Sequence, residues 1–162
     1  MLKGLLADVG LAGYRPFYRD HQFMLALLAG MVVWLAFWLI FPGLLPTFPF
    51  TANVPLFISL VIGQPVLEEL LFRGVVQGQF RLRAWGGKKR LGMTQANLLT
   101  SVLFVLAHAF YQPPFWALAV FVPSLVFGHF RDRYGNITPS LALHVYYNMG
   151  FFCLGCYMSS PS

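Results

Sequence analysis

Residues 23–41, FMLALLAGMVVWLAFWLIF, form a nearly continuous apolar run without a single charged side chain. An α-helix of that length spans roughly 28 Å, close to the ~30 Å hydrocarbon core of a bilayer. The run is long for the apolar core of a signal peptide, and no small-residue cleavage pattern follows it. It is therefore expected to be a retained transmembrane helix. The rest of the chain agrees: 58% of its 162 residues are hydrophobic and 10% are charged, against about 25% charged in soluble domains. The fold class expected is an all-α integral membrane protein.

Apolar segments separated by basic or proline-rich connections predict a compact bundle of about five transmembrane helices. They lie at 23–41, from near Val54 through Pro65 to about Arg81, and at 96–111, 115–130 and 138–158. Residues 1–22, where YRPFYRD mixes aromatic and basic side chains, read as an interfacial segment before a single helical domain over 23–158. Gly74 and Gly78 have the small-xxx-small spacing that permits close helix packing.

The net charge of +6 is distributed by topology. Lys3, Arg15 and Arg19 precede the first helix, and Arg73, Arg81, Arg83, Lys88, Lys89 and Arg90 fall at and after the end of the second. Arg131 and Arg133 belong to the expected loop RDRYGN between the fourth and fifth, while the connections at 42–53 and 112–114 have no Lys or Arg. This is the positive-inside pattern. It predicts a cytoplasmic N-terminus, with the lipid bilayer and not nucleic acid as the partner of the basic loops. The sequon at Asn136 is discounted on the same topology. Cys153 and Cys156 have no second pair to complete a zinc site. They are expected to be small helix residues. His21 and His129 are expected at the interface.

A few ionisable or amide side chains stand inside the apolar segments: Glu68, Glu69 and Arg73 on the second helix, His108 on the third, His144 and Asn148 on the fifth. A carboxylate in the hydrocarbon core costs roughly 2.5–3.5 kcal/mol on insertion scales, so such residues mark functional sites with partners. Arg73 lies one turn after Glu69, with the acid on the favourable N-terminal side. Glu68, about 100° around the helix, is then free to face water. Phe104 and His108 share a face, as do His144 and Asn148. A desolvated carboxylate and an imidazole suit general-base activation of water, and imidazole and amide N–H groups suit an oxyanion. Singly, buried His and Asn residues are more often interhelical glue; together they point to hydrolysis.

The three segments Glu68-Glu69-Leu-Leu-Phe-Arg73, Phe104-Val-Leu-Ala-His108 and His144-Val-Tyr-Tyr-Asn148 resemble the signature of the CPBP intramembrane proteases, the Abi or type II CAAX prenyl endopeptidase family, over about residues 60–152. The resemblance implies an intramembrane glutamic-type endopeptidase acting on a membrane-anchored protein or peptide near its C-terminus. It implies Glu68 and His108 as the water-activating pair, His144 and Asn148 as the oxyanion hole, and Glu69, Arg73 and Phe104 as support. The compact size is similar to small bacterial members associated with C-terminal sorting signals, such as the JDVT-CTERM type, a resemblance that implies a bacterial inner membrane. No metal cofactor is expected; the alternative is a zinc-dependent protease in which His108, His144 and Glu68 hold the ion. A non-enzymatic scaffold or chaperone that keeps the cavity for partner helices is the remaining reading. A proton-coupled transporter is disfavoured by the small size and lack of inverted repeats.

Overall fold

A computed structural model describes residues 2–44 and 53–158, without the side chains of residues 2, 3, 5, 44 and 156–158. Six helical elements occur among them: α1 (Leu2–Asp8), α2 (His21–Leu39), α3 (Val54–Arg81), α4 (Gln95–Ala109), α5 (Pro114–Tyr134) and α6 (Thr138–Met158). A two-stranded hairpin, β1 (Lys89–Arg90) and β2 (Met93–Thr94), precedes α4. Pro42–Leu44 makes a 3-10 turn, and the connection carrying Pro46 and Pro49 lies outside the described residues. The expected all-α membrane architecture is present. α2, α3 and α5 are each long and apolar enough to cross a membrane, whereas α4 is shorter.

Local chemistry sets the helix ends. Asp20 accepts a hydrogen bond from the Gln22 N–H at 2.8 Å, Asn53 from Leu56 at 3.1 Å and Thr94 from Asn97 at 3.1 Å. Each side chain satisfies a donor that the first turn leaves without an intrahelical acceptor. α3 is not a plain α-helix. Ser59–Gly63 and Glu69–Val76 are π-helical, with the Gln64 N–H reaching the Ser59 carbonyl and the Gln77 N–H the Phe72 carbonyl. Pro65 follows the first π turn directly. A proline has no N–H and collides with the carbonyl four residues back in an α-helix, and a wider turn at that point relieves the collision. The second π segment begins at Glu69, and such insertions are frequent at functional sites.

The chain divides into two units. The first comprises Met1–Phe17 and Leu67–Leu141, the second Tyr18–Val66 and Ala142–Ser162. In the first unit Ala96, Phe104, Ala117, Phe127 and Phe130 are buried together with an unusual number of polar groups. On α3, Glu69, Arg73 and Gln77 are fully buried, while Leu67, Leu71 and Val75 are exposed by 69%, 52% and 46%. Polar inside and apolar outside is the arrangement a lipid-facing helix requires.

The N-terminal segment docks into this unit. The Ile137 N–H donates to Gly10 at 3.0 Å, the Asn136 amide to the Gly13 carbonyl at 3.1 Å and Arg131 Nη2 to the Asp8 carbonyl at 2.8 Å. Gly74 and Gly78 therefore serve a different neighbour from the helix the sequence suggests. A Cβ on Gly78 would stand 2.5 Å from the Asp8 carbonyl oxygen, and one on Gly74 would stand 3.1 Å from that of Val9. The expected loop RDRYGN is also corrected: α5 continues to Tyr134, and Arg131 is 3% exposed, donating through Nε to the Arg73 carbonyl at 3.1 Å. It is a buried structural residue. Asn136, 2% exposed, is no site for a glycan.

In the second unit, α2 and α6 meet through aromatic rings. Tyr147 donates to the Ala26 carbonyl at 2.8 Å and Tyr146 to that of Leu27 at 3.3 Å, while Trp34 lies 4.6 Å from the Tyr146 ring. Gly30 and Gly150 leave room for Tyr147 and Trp34. Cys153 is an exposed thiol on α6, and the Cys156 side chain lies outside the described residues.

Candidate active site

The first unit holds Glu68, Glu69, Arg73, Phe104 and His108. Glu68 closes the α-helical turn Gln64–Glu68, and Glu69 opens the π segment. The neighbours have different surroundings: Glu69 is fully buried, whereas Glu68 keeps partial exposure. Glu69 Oε1 is 3.1 Å from Arg73 Nη1, an ion pair with both side chains at 0% exposure. Arg73 Nη2 donates to the Ser124 hydroxyl at 2.8 Å and to its carbonyl at 3.1 Å. The guanidinium also lies over the Phe104 ring at 4.5 Å and the Phe127 ring at 5.3 Å. Removing two charges from water is costly, and only hydrogen bonds and close geometry offset the cost. This pair has both.

Phe104 connects that pair to His108. Its ring contacts the His108 imidazole with centroids 4.3 Å apart and meets Phe72 edge-on at 5.0 Å. His108 Nδ1 lies 2.9 Å from the Phe104 carbonyl oxygen. A carbonyl only accepts, so Nδ1 must carry the proton, and the neutral ring has its lone pair on Nε2. The histidine is thereby held in a tautomer that can take a proton at Nε2. Tyr111, just beyond the end of α4, adds a ring 5.3 Å from His108.

The second unit holds His144 and Asn148 on α6. His144 is 6% exposed. The Asn148 amide nitrogen donates to the Leu60 carbonyl at 3.0 Å, inside the first π segment of α3. That bond uses one of two amide hydrogens and sets the orientation of the group. His21 stands at the first turn of α2, and His129 is half-buried on α5. Among the described residues, no group of three His, Cys, Asp or Glu side chains is placed to hold a metal ion.

Sequence reasoning missed the residues that hold Arg73. The Ser124 hydroxyl donates to Ser101 Oγ at 2.9 Å, and Ser101 donates to Asn97 Oδ1 at 3.2 Å. The Asn97 amide donates to the Leu125 carbonyl at 2.9 Å. Ser101, Ser124 and Asn97 are at most 1% exposed. A signal for them exists in the chain: Asn97, Ser101, Phe104 and His108 recur at four-, three- and four-residue steps, the spacing of one helix face. Glu69, Arg73, Gln77 and Arg81 recur every four residues on α3 in the same way.

A family model described as type II CAAX prenyl endopeptidase Rce1-like matches residues 49–150, a span that includes every candidate site residue. The chain belongs to that family. It is also 34% identical over 89 residues to an uncharacterized 24.3 kDa protein of Escherichia coli, an alignment that covers 54% of this chain and 38% of that protein. The chain thus spans under two-fifths of that relative's length. No solved structure matches.

Proposed function

We propose that this Rce1-like family member is an intramembrane endopeptidase that hydrolyses a peptide bond near the C-terminus of a membrane-anchored protein. Glu68 and His108 take a proton from water, and the hydroxide adds to the scissile carbonyl carbon. The N–H groups of His144 and Asn148 donate to the oxyanion that forms, where each well-placed donor is worth about 3–4 kcal/mol. Collapse of the tetrahedral species breaks the C–N bond, and the proton passes to the leaving amine. The scheme uses no metal.

One observation carries this reading: Phe104 packs against both the Arg73 guanidinium and the His108 ring, while its carbonyl holds His108 with Nε2 ready to accept a proton. The buried Glu69–Arg73 pair supports a supporting role for Glu69 and leaves the partly exposed Glu68 for chemistry. The test compares membrane proteins from cells expressing the wild-type chain with those expressing Glu68→Gln, reading C-termini by mass spectrometry. A shortened C-terminus should appear only with the wild type; processing at the same rate by the variant rules out Glu68 as the base. Activity lost in metal-free protein and restored by zinc would replace the metal-free scheme.

A further inference from the structure

Between α3 and α4, at the end of two apolar helices, the chain forms a feature that peptide hydrolysis leaves unused. The hairpin β1–β2 turns through Leu91 at φ 51° and Gly92 at φ 80°. Two successive positive φ values define the tight type I′ turn. Glycine suits that turn, but a bulky residue with positive φ is an outlier that needs a reason. Leu91 is 98% exposed at the tip, preceded directly by Lys88, Lys89 and Arg90. An apolar tip behind three cations is suited to the headgroup boundary of a membrane, where the side chain enters the acyl region and the charges meet phosphate.

Behind the hairpin is a cavity of about 350 Å³ lined by Arg81, Lys89, Thr94, His129, Asp132 and Arg133, among others. Three of these are cations and one is an anion. The anion is already engaged: Asp132 Oδ1 accepts from Gln77 at 2.9 Å and Arg81 at 3.0 Å, and Oδ2 accepts from the Thr94 hydroxyl. Asp132 thus fixes one wall of the cavity, and the lining keeps an excess of positive charge. We propose that this cavity binds the phosphate of an anionic phospholipid headgroup, with Leu91 entering the membrane beside it. The new C-terminus of a cleaved peptide is a poor alternative. Arg81 lies thirteen residues along α3 from Glu68, on the order of 20 Å, so a peptide held at Glu68 would need about six extended residues to reach it.

The experiment uses the full chain in detergent with an equimolar mixture of phosphatidylglycerol and phosphatidylcholine, and native mass spectrometry counts the lipids retained. The wild type should prefer phosphatidylglycerol. Lys89→Gln with Arg133→Gln should lower that preference roughly 30-fold, the effect of two cations near a lipid surface. Leu91→Gly, which suits the turn and leaves the cavity cations in place, should keep the preference but lower total lipid retention several-fold, and serves as the arm that folds if the double variant does not. Equal retention of the two lipids by the wild type overturns the proposal, as does wild-type preference in the folded double variant or undiminished total retention in folded Leu91→Gly. Displacement of phosphatidylglycerol by stoichiometric inorganic phosphate also overturns it, since the cavity would then be a site for soluble phosphate. None of these readouts depends on proteolysis.

Discussion

Arg73→Met removes the charge at the centre of the buried network while keeping much of the side-chain volume. The loss is larger than one salt bridge. Glu69, at 0% exposure, would lose a cation at 3.1 Å, and the two acceptor atoms of Ser124 would lose their Nη2 donor. Leaving one member of such a pair buried typically costs about 3–5 kcal/mol. Replacing both members with apolar or neutral groups of similar shape is often neutral or stabilising, so Glu69→Gln with Arg73→Met should recover most of the deficit. The coupling is measured by a double-mutant cycle, unfolding each variant from mild detergent by titration with sodium dodecyl sulfate. Arg73→Met should lose about 3–5 kcal/mol, and the double variant should be at least about 2 kcal/mol more stable than that single variant. A single-variant loss below about 1 kcal/mol refutes the reasoning, because the pair would then behave as an exposed one. A double variant as unstable as Arg73→Met refutes it in another way, placing the cost in packing against Phe104 and Phe127.

Glu68→Gln should abolish processing yet cost much less stability than Arg73→Met, because Glu68 keeps partial exposure; stability is read by the same titration. Gly78→Ala should cost roughly 1–3 kcal/mol, because its Cβ meets the Asp8 carbonyl at 2.5 Å and must push the N-terminal segment away. Gly74→Ala, at 3.1 Å, should cost less, and an unchanged melting temperature for Gly78→Ala would refute the docking of residues 8–9. Ring ¹⁵N shifts of labelled His108 should report a proton on Nδ1 at neutral pH; the Nε2-protonated tautomer would remove His108 as the proton acceptor.

The elements that sequence revealed best are those whose physics is local. An apolar run such as 23–41 needs no tertiary information to be read as a spanning helix, and α2 forms at His21–Leu39. The Glu69–Arg73 pair was equally legible, since a four-residue step on a helix and a carboxylate without water leave few alternatives. Arg131 shows where that reasoning stops. Next to Asp132 and Arg133 it reads as loop charge, and only tertiary packing supplies the Asp8 carbonyl from α1 and the Arg73 carbonyl from α3 that allow it to be buried. Gly78 failed for a related reason: its spacing says that something approaches closely, without saying whether a helix or a turn does so.

The π segments were hidden in another way. Each depends on a backbone register, and residues outside it meet its carbonyls: Asn148 holds the Leu60 carbonyl in the first, and Arg131 holds the Arg73 carbonyl in the second. A π turn offsets the face of the helix that follows it. Asn148 therefore acts on α3 besides the oxyanion role proposed for it. Replacing it with Asp keeps the size but removes both amide hydrogens, and so loses the Leu60 bond together with the oxyanion donor. The activity lost in such a variant therefore combines a proposed oxyanion donor with the backbone bond to Leu60.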